Sequence, residues 1–315
     1  MSVIEDNQTL GVLRSEFAVM GNTAKVTVVG GSQQHLRFAQ ERLLKLEQIW
    51  SRFLPDSEIS KLNSAQSKPV VVHRETIELV RYMIAGRQLT NGLFDPTLLP
   101  ALIASGYRAS LTNPTHLTLL PDGAKFNQSL DLVAIDEIAL TISLPSNVTL
   151  DPGAIGKGLA ADIVATELMQ QNISGVCVNV GGDVRCIGLG DLDGDWIIGI
   201  ESPIFFGEIS DRVSLRDGAV ATSSVRAKSW QHDGVTKHHV INPTTGLSRN
   251  VDDKSLLQVS VLARECVWAE IFATALLVAD SGLRFSMVDD SDIAAFVVSA
   301  DGFMTQSSHW IKFQR

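Results

Sequence analysis

The 315-residue chain predicts an α+β fold of mainly antiparallel sheets with packed helices. Three observations carry this. Apolar alternating runs follow one another through Gly, Asn and Asp turns more often than they alternate with helical patterns, which favours hairpins over parallel crossovers. Four stretches carry helical rather than alternating periodicity. Hydrophobic residues make up 45% and charged residues 19%, ordinary for a chain with a substantial core, and there is no internal repeat or low-complexity tract.

In order, residues 24–29 (AKVTVV) alternate as a strand, and Gly30-Gly31-Ser32 turns into a helix with Ser32 as N-cap. Leu36, Ala39, Leu43, Leu46 and Ile49 recur at helical spacing up to about Trp50. Residues 51–63 read as loop and 70–72 as a short strand. A helix is expected over about 76–89, on Ile77, Val80 and Ile84, stopped by Asn91-Gly92. Two prolines frame a turn or short helix in FDPTLLPAL. Residues 108–130, rich in Thr, Asn, Pro, Asp and Gly, read as loop with weak strand, and as the meeting place of two lobes if the single domain over 1–315 is so divided. LTISLP, a PSN turn and VTLDPG read as a hairpin. A helix follows Lys157. GVCVNV, Gly181-Gly182-Asp183 and VRCIG read as strand, turn, strand. DWIIGIES, VSLRDGAVATSS, HHVIN and LLQVSVLA read as further strands. The very apolar 265–278 reads as a helix, and AAFVVSA-DG-FMTQ as a closing hairpin.

The net charge of −9 argues against nucleic acid as a partner. Cys177, Cys186 and Cys266 are odd in number, without C-x-x-C, in apolar settings, and are expected as buried thiols. The polar, acidic start lacks the pattern of a signal peptide, and the longest apolar run, 271–279, is too short to span a bilayer, so no membrane association and a cytoplasmic location are expected.

Three places invite chemistry. In TLDPGAIGKGLAAD (149–162), Gly153, Gly156 and Gly158 surround Lys157 at a strand-to-helix turn. Such a turn offers backbone N–H groups and a positive dipole end to phosphate, although packing alone accounts for such turns as often. The spacing is not that of a Walker A loop. In ECVWAEIFATALLV, Glu270 and Thr274 share one face of an otherwise apolar helix that has no Lys or Arg between Cys266 and Ala279. A buried carboxylate pairs, protonates or binds a cation. Mg²⁺ would suit one carboxylate, one hydroxyl and ligand phosphates; exposure, or pairing with a distant Arg, is the alternative. In HHVINPTTG, adjacent strand residues face opposite ways, so one of His238 and His239 at most enters a given site, where a neutral imidazole could act as base. Asp191, Asp193 and Asp195 read as an acidic turn rather than a Ca²⁺ loop, and VATSS lacks the pattern of a hydrolase elbow.

Taken in order, these pieces resemble the ApbE-like flavin transferase family (FAD:protein FMN transferases). Met20-Gly21 with Thr23 resembles its MGT opening, and SRFLPDSEISKLN its PDSE segment. GLFDPTLLPAL, TLDPGAIGKGLAAD, VNVGGDVRCIG, WIIGIESP, AVATSS, HHVINPTTG and the apolar helix follow in family order. The resemblance implies a T-fold-like, two-lobed architecture. It implies binding of FAD with Mg²⁺, and transfer of FMN to a Ser or Thr hydroxyl of an acceptor flavoprotein with release of AMP. An FAD pyrophosphatase, or an FAD-binding protein without transfer, are the alternatives. By position, the metal ligands are Glu270, Thr274 and the backbone carbonyl of Ala154, and the candidate base is His239. Ligand-binding positions are Met20, Asp95, Gly153, Gly156 and Lys157, then Gly182, Asp183, Thr222, Ser223 and His239. The family has Asp where this chain has Glu270, Leu where it has Pro152, and Gly where it has Ser224. Phe53, Phe94 and Tyr107 are candidates for a ring pocket.

Overall fold

A computed structural model describes residues 11–190, 194–232, 234–248, 255–279, 284–289 and 292–315. Strands β1 (Val12–Val19) and β2 (Asn22–Val29) form an antiparallel hairpin, Val12 opposite Val29. The sequence reading missed β1. It is an edge strand, mostly half-exposed, and Arg14, Ser15 and Glu16 interrupt its alternation. Helix α1 (Gln33–Trp50) buries Leu36, Ala39, Leu43, Leu46, Ile49 and Trp50, and its N-cap Ser32 donates its backbone N–H to His35 Nδ1 at 2.9 Å.

Residues 51–63 are not all loop. They lead into a short helix α2 (Glu58–Ser64), started by Ser57, whose Oγ accepts the Ser60 N–H at 3.1 Å. Next come β3 (Val70–Val71), α3 (Arg74–Leu89), α4 (Leu99–Ala104), β4 (Ala134–Asp136) and β5 (Thr141–Ser143). Residues 108–130 are irregular, with one bridge between Ala109 and Leu117.

The hairpin expected over 140–153 does not form. β5 pairs with β3 and β4 instead. The backbone of the following segment is satisfied elsewhere. Leu150 exchanges hydrogen bonds with the Asn63 side chain at 2.7 and 2.9 Å, and the Asp151 N–H donates to the Pro96 carbonyl at 2.8 Å. With those groups engaged, no ladder is left for a partner strand.

Helix α5 (Gly156–Met169) is followed by β6 (Gly175–Val180), β7 (Asp183–Gly188), β8 (Trp196–Glu201), β9 (Ile209–Leu215) and β10 (Gly218–Ser224). Residues 213–224 are thus two strands. β9 stays with β8, and after Arg216-Asp217 the chain crosses to pair β10 with β7. Then come β11 (Ser229–His232), β12 (Val235–His238), β13 (Leu256–Ala263), α6 (Cys266–Val278), β14 (Ala294–Ser299) and β15 (Met304–Gln306). HHVIN is not one strand: β12 ends at His238, and Ile241 makes only an isolated bridge to Ser248. Of the acidic turn, Asp191 and Asp193 lie outside the described residues, and Asp195 pairs with Arg216 and Arg315 at 3.4 and 3.3 Å.

The main sheet runs β1-β2-β6-β7-β10-β13-β14-β15, antiparallel throughout. Helices α5 and α6 cover one face, where Val176, Val178, Ala221, Val259, Val261 and Val297 join the larger core. The β8–β9 hairpin and Trp310 cover the other, over Val184, Val220, Leu262 and Phe296. Cover on both faces explains why β13 and β14 read as nearly unbroken apolar runs. Cys186 and Cys266 are buried free thiols and Cys177 is half-buried. Among the described residues no helix is long and apolar enough to cross a membrane.

Candidate active site

The start of α5 and the start of α6 touch. A Cβ on Gly158 would stand 2.6 Å from the Cys266 carbonyl oxygen, so only glycine lets the two backbones approach this closely. Asp162, one turn further along α5, accepts the Cys266 and Val267 N–H groups at 2.9 and 2.8 Å and so caps α6. Arg185 Nε lies 3.2 Å from the same carboxylate.

This junction carries Glu270, one turn into α6, to the N-terminus of α5. Glu270 is 2% exposed. Its Oε2 accepts the Gly158 N–H at 2.8 Å, and its Oε1 pairs with Lys157. Lys157 Nζ also pairs with Asp183, whose Oδ1 accepts the Thr222 N–H at 3.3 Å. The partner that α6 lacks within its own sequence is therefore Lys157. Within the protein, the Gly158 N–H and Lys157 both hold Glu270, and Lys157 also lines the cavity beside them.

One ammonium between two carboxylates leaves one negative charge in surplus when both are ionised. Burial raises Glu270 to about 7 despite the pull of Lys157. Burial alone would lower Lys157, but Asp183 and Glu270 together raise it, so it stays an ammonium.

A cavity of about 480 Å³ opens beside this triad. Its wall brings together Met20, Asp95, Gly153, Ala154, Gly156, Lys157, Thr222, Ser223, His239, Glu270 and Thr274. Two expected positions are not on it. Asp183 stands behind Lys157, and Gly182 is an exposed turn residue whose N–H donates to Asn179 Oδ1 at 2.9 Å. Thr274 Oγ1 lies 3.2 Å from Ser223 Oγ, while Thr222 turns its hydroxyl to Ser260 at 2.8 Å. Asp95 Oδ1 accepts both the N–H and the hydroxyl of Thr97 at 2.8 Å; its Oδ2 is buried without a hydrogen-bond partner.

His239 follows β12 and lines the cavity; His238 is buried and does not. His239 Nδ1 lies 3.3 Å from the Lys228 carbonyl oxygen, which can only accept. Nδ1 therefore carries the proton and Nε2 the lone pair. Burial first, then the Lys228 ammonium, depresses His239 to about 4, so the ring is neutral at pH 7.

Phe53, Phe94 and Tyr107 all border the cavity. Arg52 lies 4.1 Å above the Phe53 ring and 4.8 Å from Tyr107, and Tyr107 stacks on Trp230 at 5.0 Å. Arg52 also pairs with Asp151 at 3.4 Å. Sequence reasoning missed Arg52, Asp151 and Lys228. Arg52 and Asp151 sit within motifs already singled out; Lys228 stands in a stretch (AKSW) with no pattern to mark it.

The ApbE family model matches residues 20–297. The chain belongs to the ApbE family. Among ApbE relatives, an FAD:protein FMN transferase of Vibrio cholerae is 28% identical over 86% of this chain and 82% of its own length. One from Treponema pallidum is 31% identical over 75% and 68%. The solved flavin transferase ApbE from Vibrio cholerae superposes with a TM-score of 0.78 at 25% identity, covering 96% of this chain and 99% of that one. The ApbE protein of Thermotoga maritima shares the fold with a TM-score of 0.83, covering 97% and 100%.

Proposed function

We propose that this protein transfers the FMN half of FAD to a Ser or Thr hydroxyl of an acceptor flavoprotein, with Mg²⁺, releasing AMP. The observation that carries the reading is the meeting of Glu270, Thr274 and the glycine turn with the neutral His239 on one cavity, beside an aromatic wall. Relatives over most of the chain named FAD:protein FMN transferase support the same reading.

The donor set fits a hard cation. Glu270 and Thr274 supply a carboxylate and a hydroxyl, Ala154 a backbone carbonyl, and the triad has one negative charge to spare. Each Glu270 oxygen makes one hydrogen bond and keeps a lone pair. Mg²⁺ held there supplies charge neutralisation on the pyrophosphate.

The chain's own residues do the rest. His239 Nε2 takes the proton of the acceptor hydroxyl as its oxygen bonds to the FMN-side phosphorus. The bond from that phosphorus to the bridging oxygen breaks, and AMP leaves with the electron pair. Lys157 orients Glu270 and pulls its pKa down against the effect of burial. Arg52, Phe53 and Tyr107 offer a flat, cationic-aromatic surface to a ring.

The test incubates the protein with FAD, Mg²⁺ and an acceptor flavoprotein domain. Flavin fluorescence that stays with the denatured acceptor on a gel is the expected result. Free FMN with an unlabelled acceptor would replace transfer by hydrolysis. Intact FAD throughout would overturn both.

A further inference from the structure

The cavity wall holds three cations, and two are spoken for. Arg52 is paired with Asp151 and hydrogen-bonded to Thr118 and the Tyr107 carbonyl. Lys157 is held between Asp183 and Glu270. The third, Lys228, makes no ion pair or hydrogen bond through Nζ among the described residues. Lys228 is half-buried on the cavity wall, and an ammonium there without a protein counter-ion is free to pair with an incoming anion.

From these placements we infer that Lys228, rather than Lys157, is the cation that receives the pyrophosphate of the ligand, an inference that rests on the reading of the cavity as an FAD site. The charges divide accordingly. The triad around Lys157 has one negative charge left over and suits a cation. Lys228 has one positive charge left over and suits an anion. A magnesium–pyrophosphate ligand presents both signs at once. Lys228 lines the same cavity as Lys157, Glu270, Asp151 and Arg52. Burial first, then the Lys157 ammonium, lower its pKa, and Asp151 and Glu270 offset this only in part. Lys228 has a second link to the chemistry. Its carbonyl holds His239 Nδ1, so an anion that anchors the side chain also steadies the base.

The test is isothermal titration calorimetry of the whole protein, at constant Mg²⁺, with FAD, riboflavin and inorganic pyrophosphate, each at low and high salt. The proteins are wild type, Lys228→Met and Lys228→Arg. Lys228→Met is expected to weaken FAD and pyrophosphate about tenfold or more and to flatten the salt dependence. It should leave riboflavin, which has no phosphate, unchanged. Lys228→Arg should restore most of the loss; a merely structural lysine would give neither the phosphate selectivity nor the rescue. Equal pyrophosphate binding by wild type and Lys228→Met, or none by either, overturns the assignment. The pyrophosphate arm stands apart from flavin transfer. A wild type that binds pyrophosphate through Lys228 and not FAD supports the anion site while refuting the FAD reading.

Discussion

The backbone N–H of Gly158 donates to Glu270 Oε2 at 2.8 Å, across 112 positions of sequence. Helix α5 thus spends an N-terminal donor, and the positive end of its dipole, on a protein carboxylate. The contact exists because residue 158 has no side chain. Gly158→Ala would push a methyl group against the Cys266 carbonyl and prise the helices apart. A loss of about 1–3 kcal/mol is expected, read as a lower Tm or denaturant midpoint. An unchanged midpoint would show that the junction yields without cost.

Lys157→Met removes the cation that pairs with both Asp183 and Glu270, whose side chains are 2% and 3% exposed. Two buried carboxylates are then left facing one another. The expected cost is about 3–5 kcal/mol in urea unfolding at pH 7. Adding Glu270→Gln in the same chain should recover part of it, since a single carboxylate then remains. A double variant no more stable than Lys157→Met would break this account.

Glu270→Gln alone keeps the shape and removes the surplus negative charge. Mg²⁺-dependent turnover should fall at least about tenfold, and the rise in Tm on adding Mg²⁺ should disappear. Turnover and Mg²⁺ response equal to wild type would place the metal elsewhere.

His239 gives a signature in stability as well as in rate. Its folded pKa of about 4 lies below the ordinary 6.5. The unfolded chain therefore binds a proton between pH 6.5 and 4 where the folded chain does not. The stability this group contributes is full above pH 6.5 and is lost as the pH falls through 6.5 toward 4. Over that window the loss amounts to up to about 3 kcal/mol. The charges of Lys228, His238 and Lys157 oppose its protonation, and the hydrogen bond to the Lys228 carbonyl partly offsets them. Chemical unfolding of wild type and His239→Gln at pH 4.5 and 7 should show a smaller difference in the variant, and its turnover should drop by about 10²–10⁴. Identical pH slopes would mean that the ring titrates normally.

Much of the fold was legible because its long elements carry one period each. α1 announces itself through Leu36, Ala39, Leu43, Leu46 and Ile49, all buried on one side. What was lost was lost for physical reasons. β1 is a half-exposed edge, and α2 is a helix of seven residues, too short for periodicity to speak. The 148–153 segment has a strand's composition, but Asn63 and Pro96 take its backbone groups. At the site, sequence marked Glu270 as an unpaired carboxylate on an apolar helix. It could not supply the distance to Lys157, because long-range pairing is a property of the sheet that carries both helices. Nor did it mark Lys228, which lines the same cavity and has no motif around it.

The junction of α5 and α6 joins parts of the chain that lie far apart in sequence. The glycine turn and Lys157 precede Glu270 by more than a hundred residues, with β6, β7 and β10 between them. A chain cut after β10 would contain Lys157 and Asp183 and lack Glu270. The extra negative charge comes with α6, which follows β13 in the chain. Any fragment that stops short of residue 266 keeps the glycine motif intact and lacks the carboxylate that gives it an electrical purpose. The charge pattern of the Lys157, Asp183 and Glu270 triad is thus complete only when α6 has docked.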